Sequence, residues 1–157
     1  MSETELKNKV ERFGCFFEQH GAPPVSARIL GYLLFSNPPR RTFYEIVEFV
    51  QASKSSVSHA INLLLEREII SYTTLPGDRK RYFQLNFSNW ANIVKSRIKF
   101  YSQVQGFVLE AIDKHQQEGG EQEFLDGLLK VEKLYASFAE EFPKIIQKWE
   151  DDIRDNQ

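Results

Sequence analysis

The chain has 157 residues, 41% apolar and 27% charged, which fits one globular domain with an added assembly element and excludes disordered and fibrous classes. Its one cysteine, Cys15, excludes an internal disulfide framework, and His20, His59 and His115 are too far apart in sequence for a structural zinc, so no metal or cofactor is expected. The formal net charge of −2 conceals an asymmetry: residues 40–99 carry ten basic against five acidic side chains, and residues 100–157 carry six against thirteen. A basic middle of this kind points to an anionic partner, the plain alternative being ordinary surface charge.

The first residues, MSETELKNKVERF, lack the apolar core of a signal peptide, and no apolar run reaches the roughly 18 residues of a membrane span. A cytoplasmic location without a membrane partner is expected. Leu6, Val10, Phe13, Phe16 and Phe17 recur at helical spacing over 4–20, and Gly21 is a natural stop. Pro23 and Pro24 lead into a second helix with Ile29, Leu30, Leu33 and Leu34, ending near Phe35 at SNPPRR. Thr42-Phe-Tyr-Glu45 reads as a capping box, and Phe43, Ile46, Val47 and Val50 supply the buried side of a short third helix. After a break at Gln51-Ala52, Ser53 is a good N-cap for a fourth helix buried through Val57, Ala60, Ile61, Leu64 and Leu65.

The period then changes. Ile69–Leu75 and Lys80–Asn86 are rich in Ile, Tyr, Thr and Phe and flank Pro76-Gly77-Asp78, which predicts a β-hairpin. Ser88 begins a fifth helix with an apolar stripe from Trp90 to Ile112, ending near Gly119-Gly120; it should be roughly 40 Å long at 1.5 Å per residue. A sixth helix carries Phe124, Leu128, Val131, Tyr135, Phe138 and Phe142 near coiled-coil spacing, and Pro143 should kink or restart it.

Two short helices joined by a tight turn and followed by a hairpin make a winged helix-turn-helix. The expected fold is therefore mainly α with a small β-hairpin, a winged lobe plus long helices that form a dimerisation region. The expected division is 1–36 for the N-terminal helices, 37–88 for the winged core and 89–157 for the C-terminal helices. In such a lobe the second helix of the pair, residues 53–66, enters the major groove of DNA. Its composition agrees, because a helix that only packs has no use for SKSSVSHAIN on its outer face. Ser55, Ser58, His59 and Asn62 form one polar stripe, and Ser53, Lys54 and Ser56 stand at the amino end, where the helix dipole favours phosphate. Short hydroxyls allow close approach, and Asn can bond adenine in two places. In the wing, 76–81, alternation sends Arg79 and Arg81 to one side beside Lys80, suited to a narrow minor groove, while Asp78 is expected to hold a neighbouring arginine. Arg40 and Arg41 precede the helix pair and are placed to clamp the DNA backbone. A solvated wing is the alternative for these basic residues.

RILGYLLFSNPP, QASKSSVSHAINLLLE and LPGDRKRYFQL together resemble the MarR-type winged-helix regulators, over roughly residues 5–100 and most closely over 28–87. Leu85-Asn86-Phe87 departs from the usual Leu-Thr followed by Gly of the wider family and favours its GbsR-like branch. The resemblance implies a homodimeric bacterial transcription regulator, usually a repressor, with 53–62 as recognition helix and 78–81 as wing tip. Affinity points to the dimer independently, since one small lobe has few base contacts and a palindrome with half-sites about one turn apart doubles them. The first, fifth and sixth helices also offer more apolar surface than one lobe needs; a monomeric bundle is the alternative.

A crevice lined by Phe16, Tyr32, Phe35, Trp90 and Tyr101 would suit a small-molecule effector, since aromatic faces attract quaternary ammonium groups and some GbsR-like relatives are associated with choline-type osmolytes. The simpler expectation for these five is core. Some MarR-type regulators sense peroxide through a first-helix cysteine, but Cys15 stands among Phe13, Phe16 and Phe17 and is expected to be buried. A winged helix acting as a protein-protein adaptor is the remaining alternative; it predicts an apolar or acidic recognition face, which SKSSVSHAIN does not supply. No nucleophile-base set, Gly-rich phosphate loop or metal spacing suggests an enzyme.

Overall fold

The computed structural model describes residues 2–155, which divide into two compact units between Asn89 and Trp90. The first unit is built on α2 (Pro24–Phe35), a helix buried on most sides through Ala27, Ile29, Gly31, Tyr32 and Leu33. Against it pack α1 (Glu3–Gln19), α3 (Phe43–Val50), α4 (Lys54–Glu66) and a small sheet. Val10, Ile29, Leu33, Ile46, Val57, Ala60, Ile61, Leu64, Ile70 and Phe83 form its core. The apolar stripes expected for the third and fourth helices are thus the surfaces that close the lobe. The N-terminal helices and the winged core share this one unit.

Helix α1 lies close on α2 because two glycines permit it. A Cβ on Gly31 would stand 3.1 Å from the Phe13 ring, and one on Gly14 would stand 3.0 Å from Cγ of Arg28. Arg28 fastens the pair: Nε donates to Glu11 Oε2 at 2.9 Å, Nη2 to Glu11 Oε1 at 2.6 Å, and Nη1 to Glu18. This two-toothed guanidinium–carboxylate geometry is the strong form of the ion pair.

The capping box forms as expected. Thr42 Oγ1 accepts from the Glu45 N–H at 3.4 Å while Glu45 Oε2 accepts from the Thr42 N–H at 2.8 Å. Partial burial works against the Glu45 charge, yet the bonds from Thr42 and the nearby Arg41 hold its carboxyl below the ordinary range. Gln51 closes α3 in the left-handed region at φ 54°, which reverses the chain tightly before Ser53 caps α4 by accepting from the Ser56 N–H at 3.1 Å.

The wing strands, β2 (Ile70–Thr73) and β3 (Tyr82–Leu85), pair antiparallel with Tyr72 opposite Phe83. They are shorter than the sequence suggests, and a third strand joins them: β1 (Arg41–Thr42) pairs with β3, giving the order β1-β3-β2. That strand ties the start of α3 directly to the wing. A 3-10 turn at Phe87–Asn89 follows, so the fifth helix begins two residues later than expected.

The second unit is a helical hairpin of α5 (Trp90–Glu118) and α6 (Gln122–Asp155) turned at Gly119, whose φ is 71°. Tyr101 packs against Tyr135, Phe138 and Phe142, and Lys95 Nζ meets Glu150 Oε1 at 2.7 Å. Helix α6 passes through Pro143 without restarting, which removes the restart from the two outcomes expected, a kink or a restart. Proline withholds one N–H, and a helix this long absorbs the loss of one bond. Among the described residues, no helix is long and apolar enough to cross a membrane.

Candidate nucleic-acid interface

Helix α4 separates into two faces. Val57, Ala60, Ile61 and Leu64 are buried, whereas Ser53, Lys54, Ser55, Ser56, Ser58, His59 and Asn62 are all exposed. The serines do not act alike. Ser53 Oγ holds the N-cap and also meets Ser55 Oγ at 3.0 Å and Ser56 Oγ at 2.7 Å, so these three form a local network that rigidifies the helix start. Ser58, His59 and Asn62 lie beyond that network, on the outward side of the next two turns. A short hydroxyl, an imidazole and an amide in that position can donate to or accept from either phosphate or base edges.

The wing turn is buckled by Asp78. Its Oδ1 accepts from the Lys80 N–H at 2.9 Å and its Oδ2 accepts from the Tyr82 hydroxyl at 2.7 Å. These bonds, the tyrosine's first, keep the Asp78 carboxyl below its ordinary range and push the Tyr82 phenol up. The carboxylate therefore fixes the turn and not an arginine, which corrects the role expected for it. Arg81 is positioned otherwise, with its guanidinium 4.7 Å from the centre of the Tyr72 ring. Arg79 and Lys80 are exposed, and residues 79–81 precede β3, so strand alternation does not govern their directions.

The arginine pair before α3 also divides. Arg40 is exposed. Arg41 is turned inward, with a side chain 16% exposed: its guanidinium faces the Tyr32 ring at 5.4 Å, donates to the Asn37 carbonyl at 3.2 Å and lies 3.5 Å from Glu45 Oε1. Its contacts are those of a lobe residue, and Arg40 is the member of the pair available to a partner.

One residue at the interface escaped the sequence reading. Tyr44, the second residue of α3, is 67% exposed, and the Lys54 ammonium stands 5.5 Å from its ring centre. Its absence from the stripe Phe43, Ile46, Val47 and Val50 was the available signal. Tyr44, Ser58, Asn62, Lys80 and Arg81 line one cleft of about 300 Å³ between α3, α4 and the wing.

The five aromatics considered for an effector crevice divide between the two units, Phe16, Tyr32 and Phe35 in the first and Trp90 and Tyr101 in the second. Tyr32 is buried and stacks on Phe49 at 3.9 Å, and Phe35 meets Phe13 edge-on at 6.0 Å, so both serve the lobe's own packing. Phe16 is 53% exposed and contacts Phe17 and His20. Trp90 begins α5 and is 45% exposed, and Tyr101 belongs to the ring cluster of the second unit. Cys15 is exposed, which overturns the expectation of burial. Its Sγ donates to Glu11 Oε1 at 3.5 Å, and that carboxylate raises the thiol's pKa, the opposite of what activates a cysteine.

A helix pair with a tight turn, a three-stranded sheet with a basic turn and a polar second helix define a winged helix-turn-helix protein. Comparison with known proteins agrees on the fold. No family model matches the chain. The HTH-type transcriptional regulator MmpR5 of Mycobacterium tuberculosis (strain ATCC 25618 / H37Rv) is 28% identical over 104 residues, which cover 66% of this chain and 63% of that protein's length. A crystal structure of a transcriptional regulator aligns over 94% of this chain and 99% of its own, with a TM-score of 0.68 and 21% identity. MepR, a transcription regulator of the Staphylococcus aureus multidrug efflux pump MepA, aligns over 80% of this chain and 91% of its own at a TM-score of 0.42 and 18% identity.

Proposed function

We propose that this chain is a sequence-specific DNA-binding transcriptional regulator of the MarR type, in its GbsR-like branch, acting as a repressor at a palindromic operator. The observation that carries this reading is the adjacency of the exposed polar face of α4 to a basic wing across one cleft. Helix α4 enters the major groove, where Ser58, His59 and Asn62 face base edges, and Arg79 reaches the adjoining minor groove. The kinship to an HTH-type transcriptional regulator supports the same reading.

The test is selection of binding sites from a random duplex library with wild-type protein and Asn62→Ala. Loss of a two-point amide contact should relax preference at one base position by about five- to a hundredfold, corresponding to about 1–3 kcal/mol of discrimination, while total affinity for non-specific duplex stays near wild type. An unchanged ranking of sequences would remove Asn62 from base reading.

The homodimer belongs to the same proposal. Among the described residues of the second unit only Ile112 and Ile146 are buried hydrophobics, whereas Phe100, Phe107, Phe124, Leu134, Ile145 and Trp149 are exposed. A two-helix hairpin with so little core does not bury enough apolar area to be stable alone. A second copy supplies a self-complementary cover and a two-fold axis that matches a palindrome. Sedimentation equilibrium should return twice the chain mass; a monomer at micromolar concentration would contradict the dimer.

A further inference from the structure

Tyr44 does little for the fold beyond meeting the Phe43 ring edge-on at 5.6 Å. It stands one residue after Phe43, which packs against the core, and two after the cap Thr42, yet it is 67% exposed. A phenol left in water gains nothing from burial, and an exposed ring on a short helix is not selected by helix propensity. A charged neighbour is Lys54 at the start of α4, whose ammonium lies 5.5 Å from the ring centre. At an exposed site such a contact is modest, yet enough to bias where a long, flexible ammonium resides.

The second observation is the cleft. Its polar lining comes from Thr42, Tyr44, Ser58, Asn62, Lys80 and Arg81, and no carboxylate lines it among the described residues. The Tyr44 hydroxyl, the Lys80 ammonium and the Arg81 guanidinium all donate hydrogen bonds, which is the chemistry of a phosphate-oxygen site, while Ser58 and Asn62 bound the cleft on the base-reading side of α4. Geometry gives the cleft an occupant. If α4 lies in the major groove and the wing in the adjoining minor groove, the strand of sugar and phosphate that separates those grooves must pass between them.

We propose that Tyr44 is a DNA-contacting residue, its ring positioning the Lys54 ammonium and its hydroxyl donating to a phosphate of the strand that threads the cleft toward Lys80 and Arg81. This inference rests on the DNA-binding reading above and adds a contact to it. Tyr44 thereby links the first helix of the pair to the second and to the wing in holding one backbone strand.

The test compares wild type, Tyr44→Phe, Tyr44→Ala, Lys54→Met and Tyr44→Ala/Lys54→Met in binding to one duplex across a salt series, with thermal unfolding of each. Because Tyr44 is exposed, all should unfold near the wild-type temperature, and Tyr44→Phe keeps the ring in any case. Losing the hydroxyl should weaken binding about three- to tenfold with an unchanged salt slope, since no charge is removed. Tyr44→Ala should weaken it further, and Lys54→Met should cost at least about twofold less in the Ala background than in wild type. Wild-type affinity in both Tyr44 variants would overturn the contact, and an equal cost of Lys54→Met in both backgrounds would overturn the positioning. If wild-type protein itself shows no salt-dependent duplex binding, the DNA-binding reading fails and this inference falls with it.

Discussion

Replacing Arg79, Lys80 and Arg81 together with alanine should weaken duplex binding about a hundredfold near 50 mM salt and reduce the slope of log affinity against log salt by about three. Each cation that neutralises a phosphate releases one condensed counterion, so the loss should shrink as salt rises and both proteins weaken. The change should leave the turn itself in place. Asp78 bonds the backbone N–H of Lys80 and the hydroxyl of Tyr82, neither of which is removed. Arg81 does lose its seat over Tyr72, a surface contact. A filter-binding or fluorescence titration at several salt concentrations measures both quantities. A triple variant with wild-type slope would mean that the wing does not touch DNA.

Ile46→Ala should destabilise the first unit by about 2–5 kcal/mol, the range for emptying a fully buried aliphatic site. Ile46 is wholly buried on α3, within the cluster that includes Leu33, Val57 and Phe83. It therefore belongs to the packing that sets α3 and α4 at their mutual angle and seats the wing beneath them. For a unit of this size the unfolding midpoint should fall by more than about 10 °C. The contrast with Tyr44→Ala, two residues away on the same helix, is the informative part: one change unfolds the lobe without touching the interface, and the other does the reverse. Thermal unfolding followed by circular dichroism separates them, and a shift of only a few degrees for Ile46→Ala would contradict the assigned core.

The helix pair was legible because its signals are local. Thr42 and Glu45 announce a capping box, Ser53 a second cap, and the two faces of 53–66 differ enough in polarity to assign each its side. What was missed depends on contacts distant in sequence. A strand of two residues, Arg41–Thr42, shows no alternation, and only its pairing with Tyr82 and Phe83 reveals it. That same pairing turns Arg41 into the lobe, so that an arginine pair with equal prospects in the sequence separates into one structural and one exposed residue. Asp78 was expected to serve a neighbouring arginine because its charge would repel phosphate, but the tyrosine four positions on lies across the turn and takes the carboxylate. Cys15 was misread for a different reason. Its neighbours Phe16 and Phe17 are themselves exposed. At roughly 100° per residue, Cys15 lies far around α1 from Val10 and Gly14, the residues that face α2. Proximity to aromatics in sequence counted for less than the helix face.

The central claim is that the α4 face and the wing together read a DNA sequence. Its most direct test is a titration of wild-type protein against one selected palindrome and against random duplex of equal length, each from about 50 to 200 mM salt. Affinity for both should fall steeply with salt, and the palindrome should remain bound in the presence of a thousandfold excess of random competitor, consistent with specificity ratios of about 10³ or more. Binding that is indifferent to salt, or equal on every sequence, would contradict it.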